Sequence, residues 1–119
     1  MSIQDVLLIA FIALGAAVLF SKIRAARNRI KPDEARRLVE EGATLLDVRS
    51  PSEFDSGCLP GAKNVPLQDL DSSLDRLDRE AHIVVYCRSG MRSSAAARKL
   101  MASGFNKVHD LGPMHAWAG

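Results

Sequence analysis

Val6–Phe20 reads VLLIAFIALGAAVLF, a run without one charged or strongly polar side chain. Nothing else in the chain constrains the fold so tightly. The apolar residues would cover every face of a helix rather than one stripe, and a chain of 119 residues has too little core to surround such a helix. Extended from Ile3 to Ile23, the run approaches the ~20 residues that a spanning helix needs. Asp5 sits near its outer end, and Ser21 and Lys22 close the inner end, where a lysine keeps its stem in lipid and its ammonium in water. A cleaved signal peptide carries positive charge before the apolar run, but the only charged side chain there is Asp5. Residues 1–23 are therefore expected to be a single-pass transmembrane anchor, in contact with lipid over 3–23. The basic flank that follows puts the amino terminus outside and the rest of the chain on the cytoplasmic side, in a bacterium the inner membrane.

The formal net charge of +2 hides an asymmetry. Lys22, Arg24, Arg27, Arg29 and Lys31 stand against Asp5 in the first 31 residues, so residues 32–119 hold 11 basic and 13 acidic side chains. Residues 24–30 read as a basic juxtamembrane linker, able to continue the helix or to lie on anionic lipid. The remainder, 31–119, lacks the basic balance of a nucleic-acid binder, and no nucleic-acid partner is expected. Two cysteines, Cys58 and Cys87, are too few for a disulfide framework and suit a reducing compartment, where a thiol stays available for chemistry.

From Ile30 onward short apolar runs alternate with helical stretches. Pro32, Asp33 and Glu34 open a helix whose apolar face is Ala35, Leu38 and Val39, and Gly42 ends it. Thr44–Val48 is a short buried strand, and Ser50-Pro51-Ser52-Glu53 is a cap that opens a short helix to about Asp55. Residues 62–65 read as a short strand. Leu67, Leu70, Leu74 and Leu77 predict an amphipathic helix whose solvated face carries Asp69, Asp71, Asp75, Asp78 and Glu80. His82–Tyr86 is the clearest strand, Ser93–Ser103 a helix, Lys107–Leu111 a last strand, Gly112-Pro113 a turn, and 114–118 a short helix packed on by Trp117. The alternation predicts an α/β domain with a small, mainly parallel sheet flanked by helices, whose site lies beyond the carboxyl ends of the strands.

Cys87 stands at such an end. A strand, a short loop with Gly90 and then a helix form a recurrent anion-binding arrangement: loop N–H groups point inward, and the helix start adds partial positive charge. Arg88 and Arg92 add full charges, Ser89 and Ser93 offer hydroxyls, and Gly90 supplies a permissive torsion. Such a field favours an ionised sulfur, which is the nucleophilic form. An inert buried cysteine would account for neither the two arginines nor the glycine. His82, His109 and His115 lack metal-ligand spacing with the cysteines, and no metal or cofactor is expected.

Three stretches carry a resemblance. Cys87-Arg88-Ser89-Gly90-Met91-Arg92-Ser93 resembles the active-site loop of rhodaneses, Leu46-Asp47-Val48-Arg49 with Glu53-Phe54 and 57–66 (GCLPGAKNVP) resembles their other signature, and 112–117 (GPMHAW) their closing motif. Together they span about 30–119 in the family's order. The resemblance implies a rhodanese-like domain and a thiosulfate sulfurtransferase. A sulfane sulfur would pass from a small anion such as thiosulfate to a thiophilic acceptor, cyanide or a thiol, through a persulfide on Cys87. It further implies that amides from Arg88, Ser89, Gly90, Met91 and Arg92 cradle the anion and that Arg92 steadies the loop. Arg88 would attract donors, while Asp47, Arg49 and Glu53 would form a supporting polar network rather than act as acid or base.

Two departures stand out. Cys58 takes the place of the family's usual histidine, and Pro113 that of a glycine. Cys58 precedes a strand and Cys87 follows one, which predicts opposite ends of a parallel sheet and no bridge between them. Two other functions compete. One is a membrane-tethered persulfide carrier or adaptor serving a protein sulfur acceptor. The other is a cysteine-dependent phosphatase or arsenate reductase, against which the four residues between Cys87 and Arg92 count, because the oxyanion-binding relatives have five.

Overall fold

The computed structural model describes residues 1–27 and 29–118. Helix α1, Ile3–Arg27, begins with Ser2 and Asp5 bonded reciprocally: Asp5 N–H donates to Ser2 Oγ at 3.2 Å and Ser2 N–H to Asp5 Oδ2 at 3.3 Å. Its Ile3–Phe20 segment is long and apolar enough to cross a membrane and is buried by no part of the protein. The expected linker over 24–30 is helical to Arg27, and at its other end Arg29 bridges to Asp110 while the Ile30 amide donates to the Asp110 carbonyl at 2.9 Å.

The rest is a four-stranded parallel sheet with helices on both faces. Helix α2 is Pro32–Glu40, β1 Thr44–Asp47, α3 Pro51–Asp55, β2 Lys63–Asn64, β3 Ile83–Cys87, α4 Met91–Ala102 and β4 Val108–Pro113, with strand order β2-β1-β3-β4. β3 is buried on both faces, as its unbroken apolar sequence demands. Side chains alternate across the sheet. Leu46, Ile83, Val85 and Cys87 pack with Ala96, Ala97, Leu100 and Phe105, whereas Leu45, Val84, Tyr86 and Leu111 pack with Ala35, Leu38 and Val39. Cys87 therefore faces α4, and Tyr86 faces away from it.

Several boundaries differ from the sequence expectations. The helix expected over Leu67–Leu77 is two 3-10 turns, Leu67–Asp69 and Asp71–Arg76. Ser72 and Ser73 hydroxyls donate to the Asp69 carbonyl at 3.0 and 2.8 Å and compete with the α-helical ladder, although the leucines still meet the core. Helix α4 starts at Met91 rather than Ser93, so Arg92 belongs to its first turn. Gly112 and Pro113 end β4 instead of forming a turn, because the register slips at a bulge: Val85 pairs with Asp110, but Tyr86 pairs with Gly112. Gly112 has φ +84°, a torsion open to glycine. The closing 114–118 segment is also a 3-10 turn.

Leu100 is fully buried between α4 and the sheet, while Met101 on the same helix is exposed. Leu100→Ala should destabilise the chain by about 2–5 kcal/mol in detergent-solubilised urea unfolding. Met101→Ala should stay within about 0.5 kcal/mol; equal losses would contradict this packing.

Candidate active site

The end of β3 delivers Cys87 with no exposed surface, on the α4 side of the sheet. The chain must then reverse within three residues to start α4. Gly90 makes this reversal with φ +103°, which an L side chain rarely adopts. The torsion turns its amide back, and Gly90 N–H donates to Cys87 Sγ at 2.9 Å. The Gly90 carbonyl is pinned in turn by Ser93 Oγ at 3.1 Å and the Ser94 amide at 3.2 Å. The sulfur thus lies against an inward-facing amide just ahead of the helix start, where the macrodipole is positive.

The remaining loop residues divide. Arg88, Ser89 and Met91 are exposed on the rim. Arg92 is half-buried and grips Glu53 with both ends of its fork, Nη1 to Oε1 at 2.7 Å and Nη2 to Oε2 at 3.0 Å. Glu53 is held from behind by the capping box expected from Ser50-Pro51-Ser52-Glu53: Ser50 N–H donates to Oε1 at 3.2 Å and Ser50 Oγ at 3.0 Å. The Arg92 bonds, then the Ser50 amide, hold the Glu53 carboxyl down at about 2. The Glu53 bond raises Arg92 above its ordinary value, and the neighbouring Cys87 adds to this.

Asp47 and Arg49 form a separate buried unit. Arg49 Nη2 meets Asp47 Oδ2 at 2.7 Å, Nε meets both oxygens, and the Arg49 amide donates to Oδ1 at 2.9 Å. Arg49 also donates to the Gly57 carbonyl at 2.7 Å, and the Leu59 amide donates to Tyr86 Oη at 3.1 Å. Burial pushes the Tyr86 phenol up. These bonds correct the topological argument about Cys58. The 57–59 loop folds back to Arg49 and Tyr86, which lie at the carboxyl ends of β1 and β3, so preceding a strand does not carry Cys58 to the far end. Both thiols are free, Cys58 exposed and Cys87 buried.

The sequence reading missed Arg29. A methyl group built on Gly90 would overlap Arg29 Nη2, and one on Gly112 would lie 2.7 Å from Arg29 Nε. Nothing in its surroundings separates it from the other basic residues near α1. His82 and His109 stack elsewhere, with ring centroids 5.1 Å apart, and burial with His82's charge lowers His109.

The sign of a pH effect follows from Glu53. Its carboxyl is lowered from 4.5 to about 2 in the folded chain, so its contribution to stability is present above pH 4.5 and is lost as pH falls toward 2. Glu53→Gln should flatten the fall of the urea midpoint between those two pH values; a fall as steep as that of the unmodified chain would refute the assignment.

Comparison with known proteins bears on the family and the fold. The model of the rhodanese-like domain matches residues 31–119. The thiosulfate sulfurtransferase GlpE of Pseudomonas aeruginosa is 33% identical over 91 residues, 76% of this chain and 83% of that protein. The uncharacterized protein YqhL of Bacillus subtilis is 35% identical over 78 residues, 65% of this chain, which spans 62% of its length. The human single-domain sulfurtransferase TSTD1 superposes with a TM-score of 0.70 at 27% identity, covering 76% of this chain and 95% of that one. A matched sheet, a cysteine loop at its carboxyl edge and sulfurtransferase kin together make this chain a member of the rhodanese-like family.

Proposed function

We propose that this protein is a membrane-anchored thiosulfate sulfurtransferase that carries sulfur as a persulfide on Cys87. The observation that carries the proposal is the Gly90 amide on Cys87 Sγ at 2.9 Å, at the start of α4. Ionised Cys87 attacks the outer sulfur of thiosulfate. A new S–S bond forms, the old one breaks, and sulfite leaves with the electron pair. A thiophilic acceptor, cyanide or a thiolate, then attacks the terminal sulfur, and Cys87 departs as the thiolate.

Both forms of the enzyme sulfur are anionic, so donors that stabilise one serve the other. Amides of 88–92 form the cradle. Arg92, oriented by Glu53, keeps positive charge beside it, and exposed Arg88 draws anionic donors to the rim. Asp47 and Arg49 support the strand ends and take no part in bond making. A phosphoryl group carried on the cysteine would need a wider cradle than the four residues between Cys87 and Arg92 supply, whereas a single sulfur atom on Cys87 fits it, which disfavours phosphatase chemistry. The unburied apolar helix Ile3–Phe20 supports anchoring, with the amino terminus outside and the domain on the cytoplasmic side of a bacterial inner membrane. There the acceptor can be a protein thiol.

Mass spectrometry of the full chain after thiosulfate treatment should find one added sulfur on Cys87. It should persist in Cys58→Ser and vanish in Cys87→Ser. An unloaded Cys87, or aryl phosphate hydrolysis without loading, would defeat the proposal. Alkaline carbonate extraction should leave the chain with the lipid pellet; release to the supernatant would rule out a spanning helix.

A further inference from the structure

We propose that Arg29 is a positioning residue for the cysteine loop, its guanidinium lodged between Gly90 and Gly112 so that the Gly90 amide stays on the Cys87 sulfur. The inference rests on the sulfur-transfer reading for its consequence, but its geometry stands alone. Two glycines from different elements, both with positive φ, converge on one side chain. A methyl group on Gly90 would overlap Nη2 and lie 2.9 Å from Cζ. One on Gly112 would lie 2.7 Å from Nε and 2.9 Å from Cδ. A Cβ at either position would displace the guanidinium from this slot, which the two glycines leave open and Arg29 fills.

The surroundings connect the slot to the sulfur. Arg29 pairs along β4 with Asp110, whose carboxylate is buried and accepts from the Gly112 amide at 2.8 Å. Burial raises the Asp110 carboxyl, while the Ser93 hydroxyl, the Gly112 amide and the Arg29 charge draw it back. Ser93 Oγ pins the Gly90 carbonyl at 3.1 Å, and the Gly90 amide reaches Cys87 Sγ. Arg29 thus backs the loop through packing against Gly90 and Gly112. Arg29 Nε is buried and has no hydrogen-bond partner among the described residues, an arrangement that stability alone does not favour. Removing the side chain opens a void beneath Gly90 and Gly112. The loop can then sink away from the sulfur.

The test uses the full chain in detergent, with Arg29→Ala and with Arg29→Gln, which keeps a planar head and should fold if the alanine variant does not. Two quantities are measured: hydrogen exchange of the Gly90 amide, with the Val84 and Leu100 amides as references for the sheet and α4, and the rate of sulfur loading from thiosulfate. Gly90 exchange should rise roughly 10-fold relative to the references. Loading should slow roughly 10-fold in kcat with KM little changed, because the donor still binds but meets a misplaced sulfur. A general loss of stability would instead raise all three exchange rates together. Gly90 exchange unchanged relative to the references overturns the proposal, and so does an unchanged loading rate in a chain that loads. If the unmodified chain takes no sulfur, the sulfur-transfer reading fails, and Gly90 exchange by itself decides whether Arg29 holds the loop.

Discussion

A sulfur at the end of a buried strand meets the donors that the backbone turns toward it. Cys87 is the last residue of a strand covered on both faces, and the same alternation that buries Val85 buries its side chain. The amide that reaches the sulfur belongs to the residue that reverses the chain. At Gly90 the positive φ serves two ends at once: it starts α4 and turns an N–H onto Sγ. The family's loop chemistry and its local fold are therefore one constraint. A side chain at position 90 would meet both the torsion and the guanidinium of Arg29.

The two arginine–carboxylate pairs near the site have different physical weight. Asp47–Arg49 is formed within one stretch of chain and is almost fully buried, so losing one partner strands a charge in the core, at about 3–5 kcal/mol. It also organises the 57–59 loop through the Gly57 carbonyl. Glu53–Arg92 joins two helices and keeps 26% and 36% of its side-chain surface exposed, so solvent screens it and its worth to stability is about 0–1 kcal/mol. Its value lies in direction. The fork fixes Arg92 with its charge beside the loop, and the Ser50 capping box fixes Glu53 in turn. The buried pair therefore carries the larger share of stability.

Legibility in the sequence followed the range of the interactions. The α2 start and the Ser50–Glu53 box are written within a few residues each and appear where the sequence puts them, whereas the cysteine loop is shorter than expected because α4 starts at Met91. The leucines at helical spacing mark the right buried face, but Ser72 and Ser73 decide for 3-10 turns by hydrogen bonds that periodicity does not encode. Gly112-Pro113 carries turn chemistry and yet ends a strand, because β4 takes in one extra residue, Leu111, between Asp110 and Gly112 and resumes pairing with β3 at the glycine. Cys58 returns to the carboxyl edge through partners 8 and 27 residues from their mates in sequence. Arg29 hides for a related reason: its role is set by Gly90 and Gly112, far along the chain, while its neighbours are basic residues of an apparently uniform flank.

The position of Arg29 also bears on the exposed edge of the sheet. β4 ends the sheet order, and such an edge invites pairing with another chain unless it is covered. The Arg29 bridge and the Ile30 amide occupy part of that edge at Asp110. Helix α1 ends at Arg27, so one residue separates the helix from the segment that closes the sheet. The same short stretch then covers the sheet edge and fills the slot behind the cysteine loop.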